Sequence, residues 1–167
     1  MADTAYLSLG SNLGDRAANL RAAVGELRSA GRLLAGSALY ETQPVDVPNQ
    51  PWFLNCVAAL ETDRTPHELL MLALSIETAM GRLRFSAKGP RKIDIDLLLF
   101  GNRLVDEPGL KIPHPAMHRR RFVLEPLAEI APQVQHPILG KTARELLDEL
   151  QGGQLGEGQI VRRFQPL

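Results

Sequence analysis

Two aspartates one residue apart, at the start of an apolar run, constrain this chain more than any other feature. Residues Gly89 to Phe100 read Gly-Pro-Arg-Lys-Ile-Asp-Ile-Asp-Leu-Leu-Leu-Phe. With the two-residue period of a strand, Asp94, Asp96, Leu98 and Phe100 share one face and Ile93, Ile95, Leu97 and Leu99 share the other. The acidic face turns apolar within two residues, so the strand is expected to be covered on both sides with its carboxylates at the mouth of a cleft. Two carboxylates in such a place require a raised pKa, an arginine clamp or a bound metal. Successive same-face positions lie roughly 7 Å apart, which suits two carboxylates flanking metal ions about 4 Å from each other. An all-oxygen donor set favours magnesium over zinc. The plain alternative is an Asp-x-Asp on the solvated face of an edge strand. Against it stand Arg82, Arg84, Lys88, Arg91 and Lys92, which precede the pair in a Gly-Pro-containing loop suited to a metal-bound polyphosphate.

The rest of the composition narrows the partners. At 167 residues, 44% of them apolar, the chain is long enough for one core, and a single domain over residues 1–167 is expected. Its formal net charge is zero and aromatics make up 5%, which argues against a nucleic-acid surface or an anionic membrane as partner. Small molecules are the expected ligands, and a monomer is the expected state. Met1 to Thr4 shows no basic and apolar leader pattern, and no apolar run approaches the ~20 residues of a membrane span. The lone Cys56 has no internal disulfide partner, which suits a reducing, cytoplasmic setting.

Along the chain, Ala5 to Leu9 reads as a buried strand ending at a Gly-Ser-Asn-Leu-Gly turn. Asp15 then caps a helix with Leu20, Val24 and Leu27 on one stripe, closed by Gly31. The glycine turn lacks the Gly-Lys-Ser/Thr of a phosphate loop and is a connecting turn. Leu33 to Glu41 reads as a second strand, followed by a polar, proline-rich loop from Thr42 to Trp52 that is long enough to be a functional lid. Phe53 to Thr62 is a third strand, with Phe53, Asn55, Val57 and Ala59 on one face. Asn55 is the odd polar member: its amide is either satisfied by a loop or reads the edge of a planar ligand.

Thr65-Pro66-His67-Glu68 is a capping box with proline in the first turn. It opens a helix whose Leu69, Leu70, Leu72, Ala73, Ile76 and Met80 face the core and which Gly81 ends. Glu77, one position past that stripe, is either a surface charge or an orienter of an arginine. Leu104-Val105 and Leu110 to Ile112 can form a small hairpin. The prolines around His114 argue against a zinc site shared with His118; His114 is either a loop histidine held by backbone bonds or a donor to phosphate, oriented by those prolines. His118 to Phe122 is a cationic run of which one helical turn can aim only one or two arginines at a site. Thr142 to Glu145 is a second capping box, opening a helix to Leu150, and Ile160 to Phe164 is a possible closing strand.

Several blocks together resemble a known family. They are Tyr6 to Gly14; Tyr40-Glu41-Thr42 with Pro44 and Asn55; Gly81 to Arg84; Gly89 to Gly101; and Pro113-His114-Pro115 with Arg120 and Phe122. In content and order they are similar to 6-hydroxymethyl-7,8-dihydropterin pyrophosphokinase of folate biosynthesis, over most of residues 4 to 132. The resemblance implies an α+β fold, a ferredoxin-like α/β sandwich whose antiparallel sheet has helices on both faces and mobile loops over the cleft. It implies transfer of the β,γ-pyrophosphoryl group of ATP to the pterin hydroxymethyl oxygen. By the same resemblance, Asp94 and Asp96 hold two magnesium ions, and Arg82 and Arg91 join them in catalysis. Glu77, Arg84, Arg91, His114 and Arg120 serve the nucleotide, and Thr42, Pro44, Val45, Phe53, Asn55 and Phe122 serve the pterin.

The chain departs from the family pattern at Ala87-Lys88, where a basic residue and a tryptophan are frequent, and at Phe53, Lys111 and Pro115. Two other readings stand beside this one. One is a different magnesium-dependent nucleotidyl or phosphoryl transferase on the same scaffold, and the other is a non-catalytic ligand-binding module.

Overall fold

A computed structural model of the chain describes residues 2–43, 51–81, 92–152 and 161–167. Strand β1 spans Asp3–Ser11 and leads through a turn into helix α1, Arg16–Leu27, whose first turn is capped by the Asp15 carboxylate accepting from the Ala18 N–H. A single 3-10 turn, Arg28–Ala30, then delivers β2, Gly31–Gly36. Gly31 is required by crowding: a Cβ there would lie 2.0 Å from the Glu61 carbonyl oxygen. It therefore starts a strand in extended backbone and is not the left-handed helix stop expected from the sequence.

β3, Leu39–Thr42, is separate from β2, so the single strand expected over Leu33 to Glu41 is in fact two. The break lies at Ser37 and Ala38. The buried Ser37 hydroxyl accepts from the Val57 N–H and donates to the Ala38 carbonyl. The Ala38 N–H turns instead to the Glu129 carboxylate, at 3.1 Å from each oxygen. Local side-chain bonds of this kind compete with the ladder, and a period-two count does not register them.

β4, Phe53–Thr62, has the expected bounds, and α2, Pro66–Ala79, opens with the full capping box of Thr65 and Glu68. After β5, Asp94–Phe100, come the β6–β7 hairpin (Val105–Glu107 and Leu110–Ile112), α3 (Arg121–Ile130), α4 (Ala143–Gly152) and β8 (Val161–Gln165). The expected hairpin and closing strand are present. α3 was not expected, because Pro126 lies inside it and the cationic run masks its apolar stripe of Val123, Leu124 and Leu127.

The strands form a six-stranded antiparallel sheet in the order β5-β1-β4-β3-β8, with β2 also pairing with β4. Helices α1 and α2 cover one face, where Leu20, Leu27, Leu69 and Ile76 meet Leu7, Leu9, Leu54 and Leu60. Helices α3 and α4 cover the other, where Leu124, Leu127, Leu146 and Leu147 meet Val57, Leu98 and Leu99. This is the expected α+β sandwich.

One face assignment fails. Leu7 pairs with Leu97 but Tyr6 pairs with Leu99, so Leu98 bulges out of register. Beyond the bulge the faces exchange: Phe100 joins Ile93, Ile95 and Leu97 under α1 and α2, and Leu99 joins Leu98 under α3 and α4. A bulge inserts one residue and shifts every later side chain to the opposite face. The aspartates precede it, so their shared face is unaffected. Among the described residues no helix is long and apolar enough to cross a membrane.

Candidate active site

At one end of the sheet the β1 register places Asp94 opposite Gly10 and Asp96 opposite Ser8. On its other side Gly10 faces Asn55, and Asn55 faces Tyr40. Directly paired residues share a face, so Asp94, Gly10, Asn55 and Tyr40 form one row across four strands, on the side of α3 and α4. Asp94 and Asp96 are half-buried while their flanking apolar residues are buried, and Asp96 lines a cleft.

Of the two readings of Glu77 the surface charge fails, because the residue is only 3% exposed. Its carboxylate accepts the Ile95 N–H at 2.8 Å, between the two aspartates and on the outer side of edge strand β5. The bond satisfies a donor that the ladder leaves open and ties the acidic segment to α2. On a helical wheel Glu77 follows Ile76 at the rim of the apolar stripe, and that rim position was the only sign of burial in the sequence.

His114 reaches the same corner because its N–H donates to the Leu98 carbonyl at 2.9 Å, at the bulged residue of β5. Its Nδ1 accepts from the Ala116 N–H at 3.1 Å, which leaves the proton on Nε2. Burial, with the Arg120 guanidinium adding to it, lowers its pKa from 6.5 to about 4 against the opposing pull of Asp94. The ring is therefore a neutral donor at physiological pH. Arg120 itself lies 5.5 Å over the Phe122 ring. A cleft of about 260 Å³ opens beside Asp96, between Leu70 of α2, Leu110 and Lys111 of β7, and His114 with Pro115. Lys111 is held at its rim by Asp106.

At the other end of the row, Asn55 donates through Nδ2 to the Thr42 hydroxyl at 2.6 Å, and both residues are buried. Gly10 lies beneath this amide: a Cβ there would come within 2.7 Å of Asn55 Oδ1 and 3.4 Å of the Phe53 ring. Glycine at this position is therefore what leaves room for the Asn55 amide, and among the described residues no donor reaches Oδ1. Phe53 and Phe122 are both half-buried, and among the described residues no ring contact joins them.

Asp94, Asp96, Glu77, His114, Arg120, Thr42, Asn55, Phe53 and Phe122 are thus all placed. Arg82, Arg84, Arg91, Pro44 and Val45 lie outside the described residues. No cluster of three or more His, Cys, Asp or Glu side chains suited to a metal occurs among the described residues, which leaves Asp94 and Asp96 as the acidic oxygen donors here.

Sequence reasoning missed a second polar knot. Glu41 accepts from Arg162 at 2.6 Å and from Arg16 at 3.2 Å. Burial works to raise the pKa of its carboxyl, but the two guanidinium groups outweigh burial and hold it low.

Comparison with known proteins places this geometry. Residues 6–132 match the family described as 7,8-dihydro-6-hydroxymethylpterin-pyrophosphokinase. The 2-amino-4-hydroxy-6-hydroxymethyldihydropteridine pyrophosphokinase of Methylorubrum extorquens is 49% identical over 148 residues, covering 87% of this chain and 92% of that protein. The protein of the same name from Bacillus subtilis is 44% identical over 137 residues, covering 81% and 82%. The folic acid synthesis protein fol1 of Schizosaccharomyces pombe is 41% identical over 148 residues, which is 87% of this chain but 20% of that longer protein. Among solved structures, the wild-type HPPK-DHPS of Plasmodium falciparum superposes with a TM-score of 0.74 at 17% identity, over 94% of this chain and 46% of that one. An HPPK-DHPS in complex with substrates gives a TM-score of 0.73 at 16% identity, over 95% and 45%. These structures share the ferredoxin-like fold, and the match over three quarters of the sequence shows that the chain belongs to the 7,8-dihydro-6-hydroxymethylpterin-pyrophosphokinase family.

Proposed function

We propose that the protein, acting as one unit over its whole length, transfers the β,γ-pyrophosphoryl group of ATP to the hydroxymethyl oxygen of 6-hydroxymethyl-7,8-dihydropterin. The products are the pterin diphosphate and AMP, in folate biosynthesis. Membership of the family and the names of its relatives support this reading. The observation that carries it is the row from Asp94 across Gly10 to Asn55. Two strand spacings separate its ends, about 10 Å. One end offers carboxylates, and the other a buried amide whose oxygen has no donor among the described residues. A generic nucleotidyl transferase has no use for the second end.

The donor set fits magnesium. Two half-buried carboxylates on alternate positions leave most of the octahedron to phosphate oxygens and water, which is how this ion is ordinarily held beside a nucleotide. Two magnesium ions at Asp94 and Asp96 would neutralise phosphate charge and align an in-line displacement. The remaining work falls to the chain. His114 offers its Nε2–H to a phosphate oxygen without adding charge, and Arg120 supplies a cation beside it, with Arg82, Arg84 and Arg91 on the same side. Glu77 holds the acidic segment to α2 on the nucleotide side. Phe53 and Phe122 cover the two faces of the pterin. Asn55 reads its edge, helped by Thr42 and by the backbone around Pro44 and Val45. Asp94 or Asp96 accepts a hydrogen bond from the attacking hydroxyl, and position rather than a strong base carries the step. The substrates are small molecules, and the proposed setting is a cytoplasmic monomer.

Incubation with ATP, magnesium and the hydroxymethyl pterin, followed by chromatography, is expected to yield AMP and pterin diphosphate in equal amounts and to stop on chelation. ADP as the product, or AMP formed equally well without the pterin, would overturn the proposal.

A further inference from the structure

The family match ends at residue 132, yet a strand beyond it completes the sheet beside the pterin half of the cleft. β8 pairs with β3 so that Val161 faces Thr42 and Arg162 faces Glu41. Thr42 is the residue whose hydroxyl holds the Asn55 amide. Glu41, its neighbour, has a side chain 12% exposed and is gripped from two directions. Arg162 sends Nε and Nη2 to Oε1 at 3.0 and 2.6 Å. Arg16, the first residue of α1, sends Nη2 to Oε2 at 3.2 Å and Nη1 to the Trp52 carbonyl at 2.8 Å. Each guanidinium also stacks on a ring, Arg162 over Trp52 at 5.0 Å and Arg16 over Phe164 at 5.7 Å.

The knot therefore clasps both ends of the β3–β4 connection at once, Glu41 on one side and Trp52 on the other. Thr42 and Phe53, their chain neighbours, pair directly with each other and belong to the pterin half of the site. The Asp94 and His114 corner lies across β4 and β1 and receives nothing from it.

We infer that β8, through Arg162 and the Glu41–Arg16 pair, is a positioning device for the pterin half of the site and sets pterin affinity independently of ATP affinity. Arg162 touches no substrate: with Arg16 it anchors Glu41 and Trp52, whose chain neighbours Thr42 and Phe53 pair directly across β3 and β4, and so holds that pair in place. This rests on the pyrophosphokinase reading. A two-pronged, ring-stacked guanidinium is needed, which a lysine reproduces only in charge.

The test is steady-state kinetics of the full chain with each substrate varied in turn. Arg162→Ala is expected to raise the KM for the pterin about tenfold, as loss of a charge-assisted bond would, with the KM for ATP changed by less than about twofold. Arg162→Lys is expected to fall between, and Arg32→Ala, which removes an exposed pair on β2, to change neither. Emission of Trp52, the only tryptophan, reports the clasp directly and is expected to shift in Arg162→Ala while the far-ultraviolet spectrum is retained. Equal rises in both KM values, or an unchanged pterin KM with a shifted Trp52 emission, would overturn the inference and leave the pyrophosphokinase reading standing. Absence of pterin-dependent AMP from the unaltered protein would overturn the reading itself, and the inference with it.

Discussion

The two ends of the Asp94 to Asn55 row are built from opposite materials. At the β5 end the groups are charged and half-exposed, on an edge strand whose outer amide is taken by a helix carboxylate from Glu77. At the β3–β4 end Thr42 and Asn55 are neutral and buried, held by one bond in which the amide donates to the hydroxyl. On the proposed roles, the difference follows from what each end has to do. Carboxylates that are to share a cation with a nucleotide must keep water within reach, because full burial would drive them to take up protons. An uncharged amide is cheaper to bury, and burial sharpens its discrimination, since a ligand that leaves its oxygen unpaired loses the bond with nothing from water to replace it.

The comparison is most severely tested at its charged end. Asp94→Ala and Asp96→Ala are each expected to lower turnover by about a thousandfold or more, as removal of metal-borne charge stabilisation would, with the melting temperature little changed. Ordinary steady-state rates in both variants would end the two-metal role. At the neutral end, Asn55→Ala is expected to raise the pterin KM about 10- to 100-fold while sparing ATP, and an equal effect on both substrates would erase the division between the halves. Glu77→Ala strands the Ile95 N–H and should cost about 1 to 3 kcal/mol in chemical denaturation, with kcat reduced because the acidic segment loses its tie to α2. A variant of unaltered stability would show that the edge is held by other means.

The smallest effect concerns His114. Its folded pKa of about 4 lies below the ordinary 6.5, so between those values the unfolded chain takes a proton that the folded ring refuses. The stability contributed by the neutral ring is complete above pH 6.5 and is lost as pH falls toward 4. Burial lowers His136 in the same direction, with His118 adding to it, so His114→Gln should flatten only part of the decline measured between pH 7 and pH 5. An unchanged decline would place His114 in a more open setting than its hydrogen bonds indicate.

Legibility followed the range of the forces involved. The Thr65-Glu68 and Thr142-Glu145 boxes, the Asp15 cap, the bounds of β4 and the common face of Asp94 and Asp96 all depend on neighbours within four residues, and all appear as expected. α3 was hidden because Pro126 and three consecutive arginines obscure a stripe that packing alone makes decisive. The split at Ser37 depends on Glu129, ninety-one residues from Ala38, and no local pattern announces it.

From its amino-acid order alone, this protein declared a family, a carboxylate pair and the residue types that surround it, because motif chemistry and strand or helix period are written in short stretches. Only the tertiary structure decided that Glu77 turns inward to Ile95, that a bulge at Leu98 exchanges the faces of Leu99 and Phe100, and that Glu41 is clasped by Arg16 and Arg162. Each of these joins elements far apart in the chain. Such contacts are chosen by which buried polar groups must find partners once the sheet has closed, a condition that exists only in the folded chain.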